Sequence, residues 1–324
     1  MAVYTQLSAE TLAELIAHYD VGELVSAKGI AEGVSNSNWL IDTTGKDGAG
    51  ARFILTMYEK RIELSDLPFF LHLLDHLAAQ GCPVPRTIHD REGASFRWLD
   101  GKAVALIEFL PGVSVDNPTQ GQAFNVGAVL AEMHLAAGNF SASRANTLGP
   151  QTSAQVLAEC GEAALGEIDP ALPATIAEAH AVAKAWPTSL PRAIIHSDLF
   201  PDNVLMRGDE VCALIDFYFA CTDAMAYDLA VTHAAWSFSG DGRTYRAEIG
   251  RALVEGYESV RKLGKNERDA LPLLAQGAAL RFVSSRAQDW IETPADALVT
   301  RKDPMAFVRR LNFYRREGGD VFTA

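Results

Sequence analysis

The chain has 324 residues, of which 48% are hydrophobic and 21% charged, a composition typical of a globular protein with one large domain or two smaller ones. Its net charge of −13 argues against nucleic acid as a partner, because phosphate backbones need a clustered positive surface. No apolar stretch approaches the ~20 residues that cross a bilayer and the first residues lack a signal-peptide pattern, so we expect no membrane span and a cytoplasmic location.

The first part of the chain predicts an antiparallel sheet accompanied by helices. Leu12, Leu15 and Ile16 recur at helical spacing, and a serine precedes them as a cap. Short β-rich runs between Gly, Asn and Ser turns then predict a meander of strands, of which "WLIDT" and "RFILTMY" are the clearest. An apolar helix follows and ends at Gly81, and further strands lead to the Pro-Gly turn of "IEFLPG".

Beyond Gly112 the sequence is rich in helices, with one exception. "FNVGAVLAEMHLAAGNF", "SAQVLAECGEAALGEI" and most of the chain after Tyr227 have helical periodicity. Between them, "PRAIIHSDLFPDNVLMRGDEVCALIDFYFA" predicts strand, loop, strand, turn and strand. We therefore predict an α+β fold with a strand-rich domain over residues 1–110 and a mainly helical domain over residues 111–324, joined by a short hinge.

The exceptional segment collects polar side chains between two apolar runs. His196 and Asp198 follow the strand "RAII", and Asn203 stands five residues after Asp198. A hairpin of the predicted length returns Asp216 close to Asn203. The set suits phosphoryl transfer, because an Asp can orient an acceptor hydroxyl and take its proton while a carboxylate and an amide oxygen bind magnesium. Taken singly, each residue is also an ordinary turn or cap residue.

"HSDLFPDN" with "IDF" resembles the catalytic and metal-binding loops of the aminoglycoside phosphotransferase-like kinases, relatives of the protein kinases. The protein-kinase pattern is His-Arg-Asp, Asn five residues later, and Asp-Phe-Gly; here Ser197 and Tyr218 replace the Arg and the Gly. The likeness continues through "GVSNSNWLIDT", "GCPVPRTI", "LAEMH" and "YDLA". "LIDFYFACTDAMAYDLAVTHAAWSF", "FILTMYEKR" and "AALRFVSSRAQDW" resemble the homoserine kinase branch of that family. This resemblance implies a protein-kinase-like bilobal fold and ATP-dependent phosphorylation of the hydroxyl of L-homoserine.

The resemblance also implies roles for residues of the second domain. Asp198 is then the catalytic Asp, and His196 supports its loop. Asn203 and Asp216 hold Mg²⁺. Asp228 in "YDLA" matches the family Asp that hydrogen-bonds the backbone of the catalytic loop.

An amino-acid acceptor needs a cation for its carboxylate. Arg281 and Arg286 are the candidates and we favour Arg281, although a surface ion pair is the ordinary role of such side chains. Tyr218, Asp202 and Trp236 are predicted to line the pocket. Choline, methylthioribose, hydroxylysine or an aminoglycoside are alternative acceptors on the same fold, and a kinase-like binding protein is the non-enzyme alternative. The sequence leaves open whether the chain forms a homodimer.

The first domain is predicted to bind ATP. "EGVSNSNW" stands where the family has a phosphate-covering hairpin, whose small and polar residues here are Gly33, Ser35, Asn36, Ser37 and Asn38. "IEFLPG" offers backbone groups of Glu108 and Leu110 to adenine. One position departs from the family, because Thr56 occupies the place of the phosphate-binding Lys of the third strand. The missing charge then comes from Lys60, from Arg61 or from magnesium.

Overall fold

A computed structural model of the protein describes residues 7–30, 36–59, 63–293 and 301–323. The chain divides into two compact units, Met1–Pro111 and Gly112–Ala324. The division falls beside the boundary expected after residue 110, while the functions assigned to the two domains stay predictions.

The first unit is built on an antiparallel sheet. Its described helices are α1 (Ala9–Ile16) and α2 (Leu67–Ala79), and its strands are β1 (Leu24–Ile30), β2 (Asn36–Thr43), β3 (Ala51–Tyr58), β4 (Thr87–Ile88), β5 (Arg97–Leu99) and β6 (Lys102–Glu108). The strands pair in the order β1-β2-β3-β6-β4, and β5 pairs with β6. Each of these pairs is antiparallel, as the short strands and turns of the sequence predict.

Strand alternation gives the sheet two faces of different character. One face packs against α1 through a buried apolar cluster formed by Leu12, Leu15, Ile16, Tyr19, Val21, Trp39, Ile41, Leu55, Met57, Val104 and Leu106. Successive side chains of a strand point to opposite faces. Asn38 and Thr56, which are paired across β2 and β3, therefore lie on the face away from α1.

The second unit is mainly helical. Its described helices are α3 (Gln120–Ala136), α4 (Pro150–Cys160), α5 (Glu162–Ile168), α6 (Ala174–Ala185), α7 (Met225–Trp236), α8 (Ala247–Val260), α9 (Lys265–Glu292) and α10 (Met305–Glu317). Its strands are β7 (Arg192–Ile195), β8 (Val204–Arg207), β9 (Glu210–Leu214) and β10 (Cys221–Ala224). Strand β7 pairs with β10 and β8 with β9, both antiparallel. Across the described ranges, every helix is too short or too polar to cross a bilayer.

Close helix packing organises this unit. Gly127 of α3 and Gly256 of α8 let the two helices touch backbone to backbone, since a methyl group on either would collide with a carbonyl oxygen of the other helix. Helix α7 is buried along its whole length and packs against α9. These two helices bring Asp228 and Arg281 to the loop that follows β7.

Candidate active site

The loop of residues 196–203 joins β7 to β8 and bonds to itself. Ser197 has a left-handed backbone, with φ of 62°, which is uncommon for a residue other than glycine. A 3-10 turn over Pro201–Asn203 closes the loop. The side-chain amide nitrogen of Asn203 donates to the carbonyl oxygen of Asp198 at 2.8 Å. Asp198 and Asn203 are thus held together by the loop itself.

Asp228, in the first turn of α7, binds the backbone at the start of the loop. Its carboxylate accepts the backbone N–H groups of His196 and Ser197, each at 2.7 Å, which are the contacts implied by the family resemblance. His134 of α3 makes a further hydrogen bond of 3.0 Å to the same carboxylate. Burial by itself would raise the pKa of Asp228, but the hydrogen bonds from His134 and His196 lower it. A buried carboxylate with all these partners is a firm anchor for the loop.

His196 connects this loop to the segment that carries Asp216. Its Nε2–H donates to the carbonyl oxygen of Ile215 at 2.9 Å, and its Nδ1 accepts the backbone N–H of Asp198 at 3.3 Å. Burial lowers the pKa of His196, so the ring is neutral with its proton on Nε2. The backbone N–H of Ile215 also donates to the carbonyl oxygen of Asn203 at 3.0 Å. The structure therefore brings together the segments that carry Asp198, Asn203 and Asp216.

Asp216 follows the β8–β9 hairpin in a left-handed conformation with φ of 64°. Its side chain keeps an exposed surface, yet loss of water to the surrounding protein, together with the charges of Asp198 and Asp202, raises the pKa of Asp216 to about 7. No cation or hydrogen-bond donor of the described residues offsets this rise. The amide nitrogen of Asn203 is already bonded, which leaves its oxygen for a ligand. A carboxylate in need of positive charge beside a free amide oxygen fits a magnesium ion.

Asp198 lies beside a buried guanidinium. Arg281 of α9 is 5% exposed, its Nη2 lies 3.4 Å from Oδ1 of Asp198, and its Nη1 donates to the carbonyl oxygen of Ser197. Burial raises the pKa of Asp198, and the charges of Arg281 and Lys302 act against this rise. Arg281 was the preferred candidate for the acceptor carboxylate, but its guanidinium is already engaged by the loop.

Arg286, the second candidate, is more available. Its Nη1 donates to the carbonyl oxygen of Asp303 at 3.0 Å, and its guanidinium carbon lies 4.6 Å from the centre of the Phe307 ring. Burial lowers the pKa of Arg286, while the charges of Asp303, Asp198 and Asp202 raise it. Arg286 therefore lies within electrostatic reach of the catalytic loop without being bound to it.

The three residues predicted to line the acceptor pocket differ in exposure. Asp202 is exposed and Tyr218 is partly buried. Trp236 has no exposed surface, and its indole N–H donates to the carbonyl oxygen of Leu199 at 2.9 Å. The prediction for Trp236 is thus corrected, because a fully buried indole supports the loop from within and offers no surface to a ligand.

Only some of the residues predicted to bind the nucleotide lie in the described part of the first unit. Gly33, Ser35 and Lys60 lie outside the described residues, as does the alternative cation Arg61. The backbone N–H of Glu108 donates to the carbonyl oxygen of Arg86 at 2.9 Å, and its side chain forms an ion pair of 3.0 Å with the same residue. The backbone N–H and the carboxylate of Glu108 are therefore both engaged by Arg86. Leu110 is partly buried.

Polar side chains of β2 form hydrogen bonds with β3 and with Glu59, the residue that follows β3. Asn36 and Ser37 are buried, and the Ser37 hydroxyl donates to Glu59 at 2.7 Å. The hydroxyl of Thr56 donates to the side-chain oxygen of Asn38 at 2.8 Å. The amide oxygen of Asn38 is therefore engaged by Thr56.

One supporting residue, His134, receives no role from the sequence. His134 is buried and bridges the hydroxyl of Tyr257, at 2.9 Å, to the carboxylate of Asp228. Its only signal in the sequence is an imidazole within an apolar helix, where an unpaired ring would be costly.

Comparison with known proteins places this geometry in a family. The family model described as "Phosphotransferase enzyme family" matches residues 26–263, and the chain belongs to this family. A protein of Gluconobacter oxydans (strain 621H) named "Homoserine kinase" is 48% identical over 318 residues, which cover 97% of this chain and 98% of the relative. A protein of Acidiphilium cryptum (strain JF-5) with the same name is 46% identical over 325 residues, which cover 98% of each chain.

A solved structure shows the same fold at low sequence identity. Amicoumacin kinase hAmiN, in complex with AMP-PNP, Ca²⁺ and Ami, matches with a TM-score of 0.70 and 14% identity, covering 98% of this chain and 96% of that chain. The predicted α+β, protein-kinase-like fold and the resemblance to the phosphotransferase family are confirmed.

Proposed function

We propose that this chain is an ATP-dependent homoserine kinase, which transfers the γ-phosphoryl group of ATP to the hydroxyl of L-homoserine and yields O-phospho-L-homoserine. Relatives named homoserine kinase match nearly the full chain at 46% and 48% identity, which supports this acceptor. The chemistry rests on one observation: a loop anchored by Asp228 presents Asp198 beside Asn203 and the segment of Asp216.

Asp198 orients the acceptor hydroxyl and accepts its proton as the oxygen attacks phosphorus. Such a transfer depends mostly on positioning and charge, so a base on a rigid loop is an advantage. The hydrogen bonds from Asp228 and His196 supply that rigidity. The remaining charge of Asp198 is balanced on the protein side by Arg281 and Lys302.

The proposed magnesium ligands belong to the second unit and the proposed nucleotide ligands to the first. Asn203 and Asp216 would hold magnesium, which would supply positive charge against the phosphate groups of ATP. Among the residues described, no three His, Cys, Asp or Glu side chains cluster as a metal site. In the first unit, Asn38 supplies amide donors and Glu108 a carbonyl oxygen to the nucleotide.

The acceptor is proposed to bind through its charged groups. Arg286 takes the carboxylate, because its guanidinium is not bound to the loop yet lies within electrostatic reach of it. Asp202, which is exposed, is available for the ammonium group. Tyr218 is proposed to line the pocket between them. A cytoplasmic location belongs to the same proposal, while the homodimer stays a prediction.

An acceptor screen tests this function. The protein is supplied with magnesium and ATP, and ADP release is measured with homoserine, serine, choline, methylthioribose, hydroxylysine and an aminoglycoside. We expect kcat/KM for homoserine to exceed that for choline, methylthioribose and an aminoglycoside by at least ~10²-fold, because these compounds lack the α-carboxylate. Serine and hydroxylysine carry that group and differ in chain length, so we expect a smaller preference over them, of ~10-fold or more. Mass spectrometry should then identify phosphohomoserine. Preference for another compound would replace homoserine as the acceptor, and nucleotide binding without any turnover would favour the binding-protein alternative.

A further inference from the structure

We propose that Arg281 is a positioning residue for the catalytic loop and does not bind the acceptor. The inference rests on the proposed function, since it concerns how that site is built. The sequence favours Arg281 over Arg286 as the partner of the acceptor carboxylate, and this inference reverses that preference.

The first observation is that Arg281 holds one side of a strained residue. Ser197 adopts a left-handed backbone, which is strained for a residue with a side chain. Asp228 binds the N–H of Ser197 at 2.7 Å, and Arg281 donates to the carbonyl oxygen of the same residue. Charged side chains of two helices therefore hydrogen-bond the peptide groups on both sides of Ser197. These bonds fix the backbone direction at Asp198.

The second observation is that little of Arg281 is left for a substrate. The side chain is 5% exposed, and its guanidinium carbon lies 4.8 Å from the Phe282 ring centre and 5.5 Å from that of Phe219. Its Nη2 faces Asp198 at 3.4 Å. A substrate carboxylate at this guanidinium would have to compete with Asp198 and would add a like charge beside it.

The third observation concerns charge at the loop. Protein kinases have an Arg between the His and the Asp of this motif, and Ser197 stands there in this chain. The guanidinium beside the loop comes instead from Arg281, 84 residues further along. Asp198 is half-buried, and a carboxylate removed from water is destabilised when it loses its cation. We therefore assign to Arg281 both the orientation and the charge balance of Asp198.

Arg286 provides the matched comparison, because it lies on the same helix and has different partners. It bonds to a carbonyl oxygen, that of Asp303, and within the described ranges it has no carboxylate partner. Its remaining N–H groups can form the paired bonds that a carboxylate prefers. The two arginines should consequently respond to substitution in opposite ways.

The experiment compares Arg281→Met, Arg281→Lys and Arg286→Met in the full chain. Calorimetry measures the Kd of homoserine in the presence of ADP, and steady-state assays at saturating substrate measure kcat. For Arg281→Met we expect kcat to fall at least ~100-fold with the homoserine Kd within ~3-fold of wild type, because misorientation affects the reacting atoms and not the bound carboxylate. Arg281→Lys should recover ~10-fold of the lost kcat, since lysine keeps the positive charge but lacks the paired N–H groups of a guanidinium. Arg286→Met should raise the Kd at least ~30-fold, because it removes a charged hydrogen-bonded partner.

Two results would overturn the assignment: a homoserine Kd raised in Arg281→Met as much as in Arg286→Met, or an unchanged kcat in Arg281→Met. Thermal unfolding and the Kd of ADP are measured for each variant. If Arg281→Met does not fold, Arg281→Lys decides by the same criterion, a loss of kcat at constant Kd. If wild type has no homoserine-dependent turnover, the proposed function fails first, and the comparison is made with the acceptor that the screen identifies. If the screen finds none, both proposals are wrong.

Discussion

The Asp198 loop and the Asp216 turn form two halves of one site, and the protein holds them differently. In the loop, Asp228 binds the N–H groups of His196 and Ser197, and Trp236 binds the carbonyl oxygen of Leu199. At the turn, Asp216 is exposed and its charge is opposed by the neighbouring acids.

This difference separates what the fold supplies from what a ligand must supply. The contacts that hold the loop come from side chains of α7 and α9. The turn holds a carboxylate whose pKa is raised to about 7, so a bound cation would stabilise it. Raised carboxylate pKa values are common at functional sites, where stability is lost in exchange for ligand affinity. Substitutions in the two halves should therefore have opposite effects on stability.

The largest effect is expected for Asp198→Asn. Loss of the proton acceptor should lower kcat by ~10²- to 10⁴-fold, while the Kd of ADP stays within ~3-fold, because the change removes a base without altering nucleotide contacts. Steady-state kinetics and calorimetry measure the two quantities. Asp269→Asn, an exposed change on α9 in an ion pair with Lys265, is the control and should match wild type. Turnover near the wild-type level in Asp198→Asn would eliminate the mechanism.

Asp228→Asn should weaken both the loop and the fold. The variant loses a buried charge that accepts two backbone N–H groups and His134, so we expect the free energy of unfolding to fall by ~3 kcal/mol. The kcat should fall ~10-fold or more because the loop loosens. Urea denaturation and steady-state kinetics measure these changes. A stable variant with normal kcat would mean that the loop does not depend on this anchor.

Asp216→Asn should act in the opposite direction on stability. Removing a carboxylate that lacks a cation should raise the melting temperature of the metal-free protein by a few degrees, and the gain is limited because the side chain is exposed to solvent. The magnesium concentration for half-maximal activity should rise at least ~10-fold, because one anionic ligand is lost. A lower melting temperature without metal would contradict the contrast between the two halves.

The smallest effect tests a buried histidine away from both halves. Burial lowers the pKa of His233 from 6.5 to about 3, so between these pH values the unfolded chain binds a proton that the folded chain does not. The contribution to stability is intact above pH 6.5 and is lost as the pH falls, by ~2 kcal/mol between pH 7 and pH 5. His233→Asn should remove this part of the pH dependence, as urea denaturation at the two pH values will show. An unchanged pH dependence in the variant would assign the effect to other groups.

Local spacing in the sequence was sufficient for much of the fold and for the catalytic loop. The strand, loop and hairpin from Arg192 to Leu214 follow from apolar runs and turn residues. Because hairpin pairing is set by nearby residues, the sequence could also place Asn203 beside the segment of Asp216. Asp228, 31 residues from Ser197, was assigned through the resemblance of "YDLA" to the family and not through spacing.

Only the tertiary structure decided which distant side chains serve that loop. Periodicity shows that a helix has a buried face, but it does not show what lies opposite that face. Arg281 and Arg286 were both candidates for the acceptor carboxylate in the sequence, where Arg281 was favoured, whereas in the structure Arg281 is buried against Ser197 and Arg286 is not. Trp236 and His134 belong to the same class, because each acquires its function from a partner that packing alone brings into contact.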